Sequence, residues 1–497
     1  MRESFDMLVV GGGINGAGIA RDAAGRGLSV CLCEQDDLAA HTSSASTKLI
    51  HGGLRYLQQG EVALVRKALN ERETLRQLAP HLIAPTTFVL PHARHLRPAW
   101  MLRAGLWLYD HLGRPNPHFP PSQRIDLQRD PRGETLQPGY RTGFTYADAR
   151  VNDARLVVLN ALDAHERGAD IRTRTRCEQL IRHRDHWWAV LRTASGDVQR
   201  IRARCVVNAS GPWAGTVLQC AGLDAPLGLR LVQGSHLVVL RLFAHDSAYL
   251  FQQPDQRVVF AIPFEQDFTL IGTTDTDYDG DPAWVKPRAE EQAYLLDAVN
   301  RFLRVPVEAE DIVWRYSGVR PLLADHHRAA SQVTRDYRLE LDTAGAPLLS
   351  VLGGKLTTYR ALAEEALGRL SPSLPATGPA WTAGGPPLPG GGGGNAVQVA
   401  ETLQRDHPHL PPALLQRLAA SYGTRASGLL AGAQTRDALG QDHGGGLHER
   451  ELDYLITHEW VRTAEDVLWR RSHLGLRLDA AQREALAATV QARVSMP

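Results

Sequence analysis

Lysine is scarce in this chain. The sequence has 55 basic residues, but only Lys48, Lys67, Lys286 and Lys355 are lysine, and arginine supplies the rest. Two of the four, Lys48 and Lys355, stand in glycine-rich motifs, positions that call for a compact ammonium rather than a planar fork. Cysteine is also rare. Five residues with no Cys-x-x-Cys spacing exclude a disulfide framework and a zinc site, so no metal is expected. Cys31 and Cys33 alternate on one face of a strand and read as packing, which points to a reducing compartment, the cytoplasm. No run of about 18 uncharged apolar residues occurs, so no membrane-spanning helix is expected. Met1–Ser4 lead directly into a strand and leave no room for a signal peptide. A formal net charge of +1 carries no nucleic-acid signature. What remains, with 43% hydrophobic and 22% charged residues over 497 positions, is a globular protein of two or three domains.

The apolar strand Phe5–Val10 is followed by Gly11-Gly12-Gly13-Ile14-Asn15-Gly16 and a helical pattern through Arg26. Gly11, Gly13 and Gly16 fit the dinucleotide fingerprint: the first turns the chain, the second admits the pyrophosphate and the third packs helix on strand. The helix N-terminus then faces the phosphates. A second strand, Leu28–Cys33, ends in Glu34, near the spacing of a carboxylate that binds the adenosine ribose hydroxyls. A nicotinamide enzyme would continue into further βα units. This chain runs instead into Thr42-Ser43-Ser44-Ala45-Ser46-Thr47-Lys48-Leu49-Ile50-His51-Gly52-Gly53-Leu54-Arg55-Tyr56. A polar segment folding back over the pyrophosphate is what an extended FAD requires.

The fingerprint together with Thr42–Tyr56 resembles the FAD-dependent, aerobic glycerol-3-phosphate dehydrogenases, within the wider glutathione-reductase-like and D-amino-acid-oxidase-like flavoproteins. The likeness continues through Asn208-Ala209-Ser210-Gly211-Pro212-Trp213, Ile271-Gly272-Thr273-Thr274-Asp275, Tyr316-Ser317-Gly318-Val319-Arg320-Pro321-Leu322 and Gly353-Gly354-Lys355-Leu356-Thr357-Thr358. It extends to the C-terminal stretches Glu451–Ile456 and His458–Arg471. The resemblance implies an α/β fold: a Rossmann-like FAD-binding domain, an inserted, mainly antiparallel substrate domain and a C-terminal helical domain. The domain bounds expected are 1–80, 140–221 and 340–371 for FAD binding, 81–139 and 222–339 for substrate, 372–395 for a proline- and glycine-rich linker and 396–497 for the helical part. Asp153 is expected to cap a helix running to Arg167, before Gly168.

Implied cofactor contacts are Gly11, Gly13, Asn15, Gly16, Glu34, Thr42, Ser43, Ser44, Thr47, Lys48, His51, Gly52 and Gly53. The backbone near Cys177 would hold the adenine. Ser210, Gly211, Gly354, Lys355, Leu356, Thr357 and Thr358 complete the set, the last group aiming a helix N-terminus at the flavin N1–C2=O edge. The substrate implied is sn-glycerol 3-phosphate, oxidised at C2 by hydride transfer to flavin N5, with electrons passed to a membrane quinone. Arg55 and Arg320 form the expected phosphate clamp. Lys355 shares that role or hydrogen-bonds the C2 hydroxyl, His51 is the base or a flavin contact, and Tyr56, Thr273 and Thr274 position the glycerol. Competing readings are an oxygen-using glycerol-3-phosphate oxidase, whose relatives are typically longer, and an amino-acid oxidase, which would need one cation rather than two. The apolar, basic-ended helix Leu96–Arg114 fits either a membrane interface or burial beside the flavin, and burial is the expectation. A peripheral contact with the inner face of the cytoplasmic membrane is expected through this helix and the Trp469-Arg470-Arg471 end. A homodimer is expected as well.

Overall fold

The run Met7–Val10 offers no polar face, so its strand must be covered on both sides. In the computed structural model, which describes residues 3–58, 60–93, 98–224, 228–255, 257–323, 336–375 and 377–495, strand Ser4–Val10 lies in the middle of an eight-stranded sheet. Its parallel partners are Val30–Cys33 and Val198–Asn208, with Met7 opposite both Val30 and Cys205. Asp170–Arg172 and Leu348–Gly353 extend the parallel part. Tyr337–Asp342 and the meander Thr175–Arg182/Trp187–Thr193 pair antiparallel. Helices Ile14–Gly25, Asp153–Glu166 and Tyr359–Leu370 contribute to the large core over one face. The helix expected from Asp153 is capped by Asn152, whose side chain accepts the Arg155 N–H. Asp153 turns inward to Lys48 instead.

A second sheet of ten strands is mainly antiparallel, as expected. Leu229–Leu240 pairs with Ile312–Leu323 along almost its whole length and with Phe268–Gly272 on its other side. The sheet continues through Val258–Phe264, Ala248–Gln252, Ile83–His92 and Thr142–Val151 to Leu49–Ile50. It therefore recruits Leu49–Ile50 and Thr142–Val151, which the sequence reading assigns to the dinucleotide domain, because Thr142–Val151 forms a ten-residue ladder with Ile83–His92. Helix Ala289–Asn300 covers one face of this sheet and helices Val62–Leu78 and Ala99–Leu112 the other.

The helix expected from Leu96 is described from Ala99 to Leu112, and Leu96 and Arg97 lie outside the described residues. Its expected burial is not what is found. Leu102, Leu106 and Tyr109 form one buried stripe, while Trp100 is 69% and Trp107 60% exposed, with Met101 and Leu108 beside them. Three apolar positions satisfy the core and the rest face outward. The expected linker is no free tether. Trp381 donates its indole N–H to the Asp22 carbonyl, Leu388 is buried, and its N–H reaches the Leu78 carbonyl. The C-terminal helices Ala396–Asp406, Pro412–Tyr422, Glu449–His458 and Ala480–Val494 enclose a separate core. The Trp469–Arg471 end is engaged in the interior rather than free basic surface, with Trp469 and Arg470 half-buried and Arg471 buried. Arg471 is fully buried on Asp37, Arg470 pairs with Asp37 and Asp466, and Trp469 stacks on Trp314.

Candidate active site

Both sheets contribute to a cavity of about 680 Å³, a size usual for a cofactor or small-molecule site. Its dinucleotide half is built by the turn between the first strand and helix. Gly11 has φ +112°, and a Cβ there would press on the Ala209 carbonyl. A Cβ on Gly16 would overlap the Gly11 carbonyl, so Gly16 supports the turn from behind without lining the cavity. Gly13 begins the helix, and the next N–H, of Ile14, donates to Ser43 Oγ at 3.0 Å. Asn15 Oδ1 is buried with no hydrogen-bond partner among the described residues, in a side chain that lines the cavity. Glu34 accepts the N–H of Gly12 at 2.6 Å and of Asp36 at 2.9 Å. Burial raises its pKa against the pull of those two bonds. Thr42, Ser43, Thr47, Gly53, Cys177, Ser210, Gly211, Gly354 and Leu356 also line the wall. A bare glycine turn, a helix N-terminus and an orphaned amide oxygen on one wall suit a dinucleotide.

Five further expected cofactor contacts stand, like Gly16, behind the wall rather than in it. Lys48 is 4% exposed and bonds Asp153 at 2.7 Å and the Ser44 carbonyl at 2.9 Å, because a buried ammonium needs a carboxylate partner. Ser44 turns its hydroxyl to the His41 carbonyl. The Gly52 N–H is taken by Tyr109 and Asp148, and a Cβ on Gly52 would meet the Tyr109 hydroxyl. Thr357 accepts the His51 N–H, and Thr358 bonds the Lys355 carbonyl. These groups hold the loops that carry the lining residues.

The other half of the cavity gathers His51, Arg55 and Tyr56 from one stretch with Thr273, Arg320 and Lys355 from three distant ones. Arg320 donates to Asp275 Oδ1 at 2.8 Å, to Thr273 Oγ1 at 3.0 Å and to the Thr274 carbonyl at 3.3 Å. Arg55 lies 3.9 Å from the other oxygen of the same carboxylate. Lys355 donates to the His51 carbonyl at 2.6 Å and sits over the Tyr56 ring. His51 is pushed well below the ordinary imidazole pKa, first by burial and then by Lys355, Arg55 and Arg72. It is neutral at neutral pH and able to accept a proton. Thr274, expected to touch substrate, is 1% exposed and faces away, toward Glu291.

Two contributors escaped the sequence reading. Asp275, quoted there only as part of a motif, joins the two arginines. Gly234 lies under Arg320, and a Cβ there would overlap the guanidinium. An isolated glycine within the strand Gln233-Gly234-Ser235 was the available signal of a close approach.

Fold and site together define a flavoprotein oxidoreductase whose cavity carries Arg55, Arg320 and Lys355 beside the dinucleotide wall. The FAD dependent oxidoreductase family matches residues 6–360, and the C-terminal domain of alpha-glycerophosphate oxidase matches residues 384–494. The chain belongs to the FAD dependent oxidoreductase family, and FAD is its cofactor. It is 52% identical to a glycerol-3-phosphate dehydrogenase of Pseudomonas aeruginosa over 99% of this chain and 96% of that one. It is 48% identical to a D-erythritol 1-phosphate dehydrogenase of Brucella abortus, covering 97% of each. Among solved structures, the glycerol-3-phosphate dehydrogenase of Bacillus halodurans complexed with FAD is similar with a TM-score of 0.79 at 28% identity, over 99% of this chain and 91% of that one.

Proposed function

We propose that the protein oxidises sn-glycerol 3-phosphate at C2 to dihydroxyacetone phosphate and passes the electrons to a membrane quinone. The observation that carries the substrate class is the gathering of Arg55, Arg320 and Lys355 beside His51 in one half of the pocket, with both arginines reaching Asp275. Two guanidinium forks and an ammonium on one wall suit a phosphate monoester, which is close to a dianion at neutral pH. Arg55 and Arg320 grip the phosphate through their planar forks. Neutral His51 takes the C2 hydroxyl proton, Lys355 orients that hydroxyl, and Tyr56 and Thr273 line the glycerol moiety. The Gly11–Asn15 turn with Ser43 and Thr47 would hold FAD, which when bound would supply the acceptor for the C2 hydride.

Among the described residues no helix is long and apolar enough to cross a membrane. Access to quinone is therefore assigned to a surface contact through the outward face of helix Ala99–Leu112. Two exposed tryptophans on one helix face suit the bilayer interface.

Anaerobic addition of sn-glycerol 3-phosphate should bleach the visible flavin spectrum, while free glycerol should bleach it far more slowly. The relative that oxidises D-erythritol 1-phosphate gives a second reading, a four-carbon polyol phosphate. Bleaching with D-erythritol 1-phosphate at a higher kcat/KM than with sn-glycerol 3-phosphate would replace the first reading by the second. Equal bleaching by glycerol and glycerol 3-phosphate would remove both.

A further inference from the structure

Glu291 lies in the first turn of helix Ala289–Asn300, is 5% exposed and does not reach the cavity. Its carboxylate accepts the Arg288 N–H at 3.2 Å, an ordinary bond at a helix start that a glutamine makes equally well. Four more donors converge on it: Thr274 Oγ1 at 2.5 Å, Gln233 Nε2 and Ser235 Oγ at 2.7 Å each, and Thr276 Oγ1 at 3.3 Å. Among the described residues no cation pairs with it. A carboxylate buried on neutral donors is costly unless those bonds are well made, and helix capping alone does not call for one.

The donors belong to the framework of the arginine clamp. Thr274 is held from two sides, giving its hydroxyl proton to Glu291 and accepting the Ser235 N–H at 2.9 Å. Arg320 donates to the consecutive residues Thr273, Thr274 and Asp275, so the residue fixed by Glu291 is the middle one of this turn. Ser235 and Ser317 bond each other at 2.6 Å, tying the strand beneath the guanidinium to the strand that carries Arg320.

We propose that Glu291 is a positioning residue for the anion clamp: by fixing Thr274 it makes the 273–275 turn present three oxygens to Arg320 and aims the guanidinium at the substrate phosphate. This rests on the reading of Arg320 as a phosphate ligand. Glu291 then governs how tightly the phosphorylated substrate is held, not how fast hydride leaves C2.

The test uses the full-length holoenzyme with Glu291→Gln, Thr274→Val, their double variant, Thr274→Ser and Arg320→Ala. Glu291→Gln and Thr274→Val should each raise KM for sn-glycerol 3-phosphate about tenfold or more and weaken inhibition by inorganic phosphate by the same factor. In both, kcat should stay within about threefold, with FAD content and the visible spectrum unchanged. The double variant should match the single ones, because both cut the same chain of bonds, and Thr274→Ser should stay close to wild type. Arg320→Ala should raise KM and weaken phosphate inhibition by at least as much. An unchanged KM in flavin-loaded Thr274→Val overturns the proposal, as does a fall in kcat at constant KM. If Glu291→Gln does not fold, Thr274→Val decides alone. If Arg320→Ala moves neither KM nor phosphate inhibition, the phosphate reading falls and this proposal with it. If Arg320→Ala moves both and Glu291→Gln moves neither, only Glu291 is wrongly assigned.

Discussion

His51 is surrounded by groups that disfavour its protonation. Burial acts first, then the charges of Lys355, Arg55 and Arg72. A base works in its unprotonated form, so its contribution is lost only as pH falls through its lowered pKa. The acid limb of kcat should therefore lie below the ordinary imidazole value of 6.5. The limb is read in kcat rather than kcat/KM, because the free substrate phosphate also ionises near pH 6 and appears only in the latter. Lys355→Met removes the largest electrostatic cause and should move the limb upward, at whatever rate remains. His51→Ala should abolish it. A wild-type limb at or above 6.5, or one that stays put in Lys355→Met, would assign the base elsewhere.

At the scale of elements, what the sequence disclosed follows how local the signal is. The Gly11–Gly16 turn was readable because strand, glycines and helix are contiguous, and their spacing carries the geometry. Arg55 and Arg320 were readable from the family resemblance of their motifs. Asp275 as their shared partner, Gly234 beneath Arg320 and Glu291 behind Thr274 were not, because each contact arises from strands and a helix brought together across tens of residues or more. Lys48 misled for the same reason. Its glycine-rich surroundings suggested a cofactor contact, while its partner Asp153 stands 105 positions away. Helix Ala99–Leu112 showed an apolar pattern without saying how many neighbours would cover it. Its uncovered face should bind membrane: Trp100→Ser/Trp107→Ser ought to weaken sedimentation with anionic phospholipid vesicles by about tenfold or more, each buried ring contributing roughly 1.5–3 kcal/mol. Turnover of sn-glycerol 3-phosphate with a water-soluble electron acceptor should be unchanged. Vesicle binding as strong as wild type would mean that another surface meets the bilayer.

Over the whole molecule, the C-terminal part has its own core yet fastens itself to segments that belong to or flank both sheets. Arg471 forks onto Asp37 at 2.6 and 2.8 Å, Arg470 adds a bond to the same carboxylate, and Arg174 reaches Asp466. Arg155, from the helix behind the dinucleotide turn, pairs with fully buried Glu459. On the substrate side His473 bonds Glu265 and Arg477 bonds Asp267. Asp37 follows Glu34 by three residues, in the loop that leads through His41 and Ser43 along the cofactor wall. A segment without catalytic groups thus holds the loop that faces the dinucleotide, through pairs the sequence could not show because the partners are 434 residues apart. Removing one member of a buried pair costs about 3–5 kcal/mol where the other charge is left uncompensated; Arg470 stays on Asp37, so losing Arg471 should cost less than that, and replacing both by neutral groups is milder still. Arg471→Met should therefore lower the melting temperature and release FAD early, seen as flavin fluorescence rising well before the wild-type transition. Asp37→Asn/Arg471→Met should recover most of the loss in both readouts. If Arg471→Met keeps its flavin to the wild-type temperature, or if the double variant is worse than the single one, the C-terminal part is not what steadies the cofactor loop.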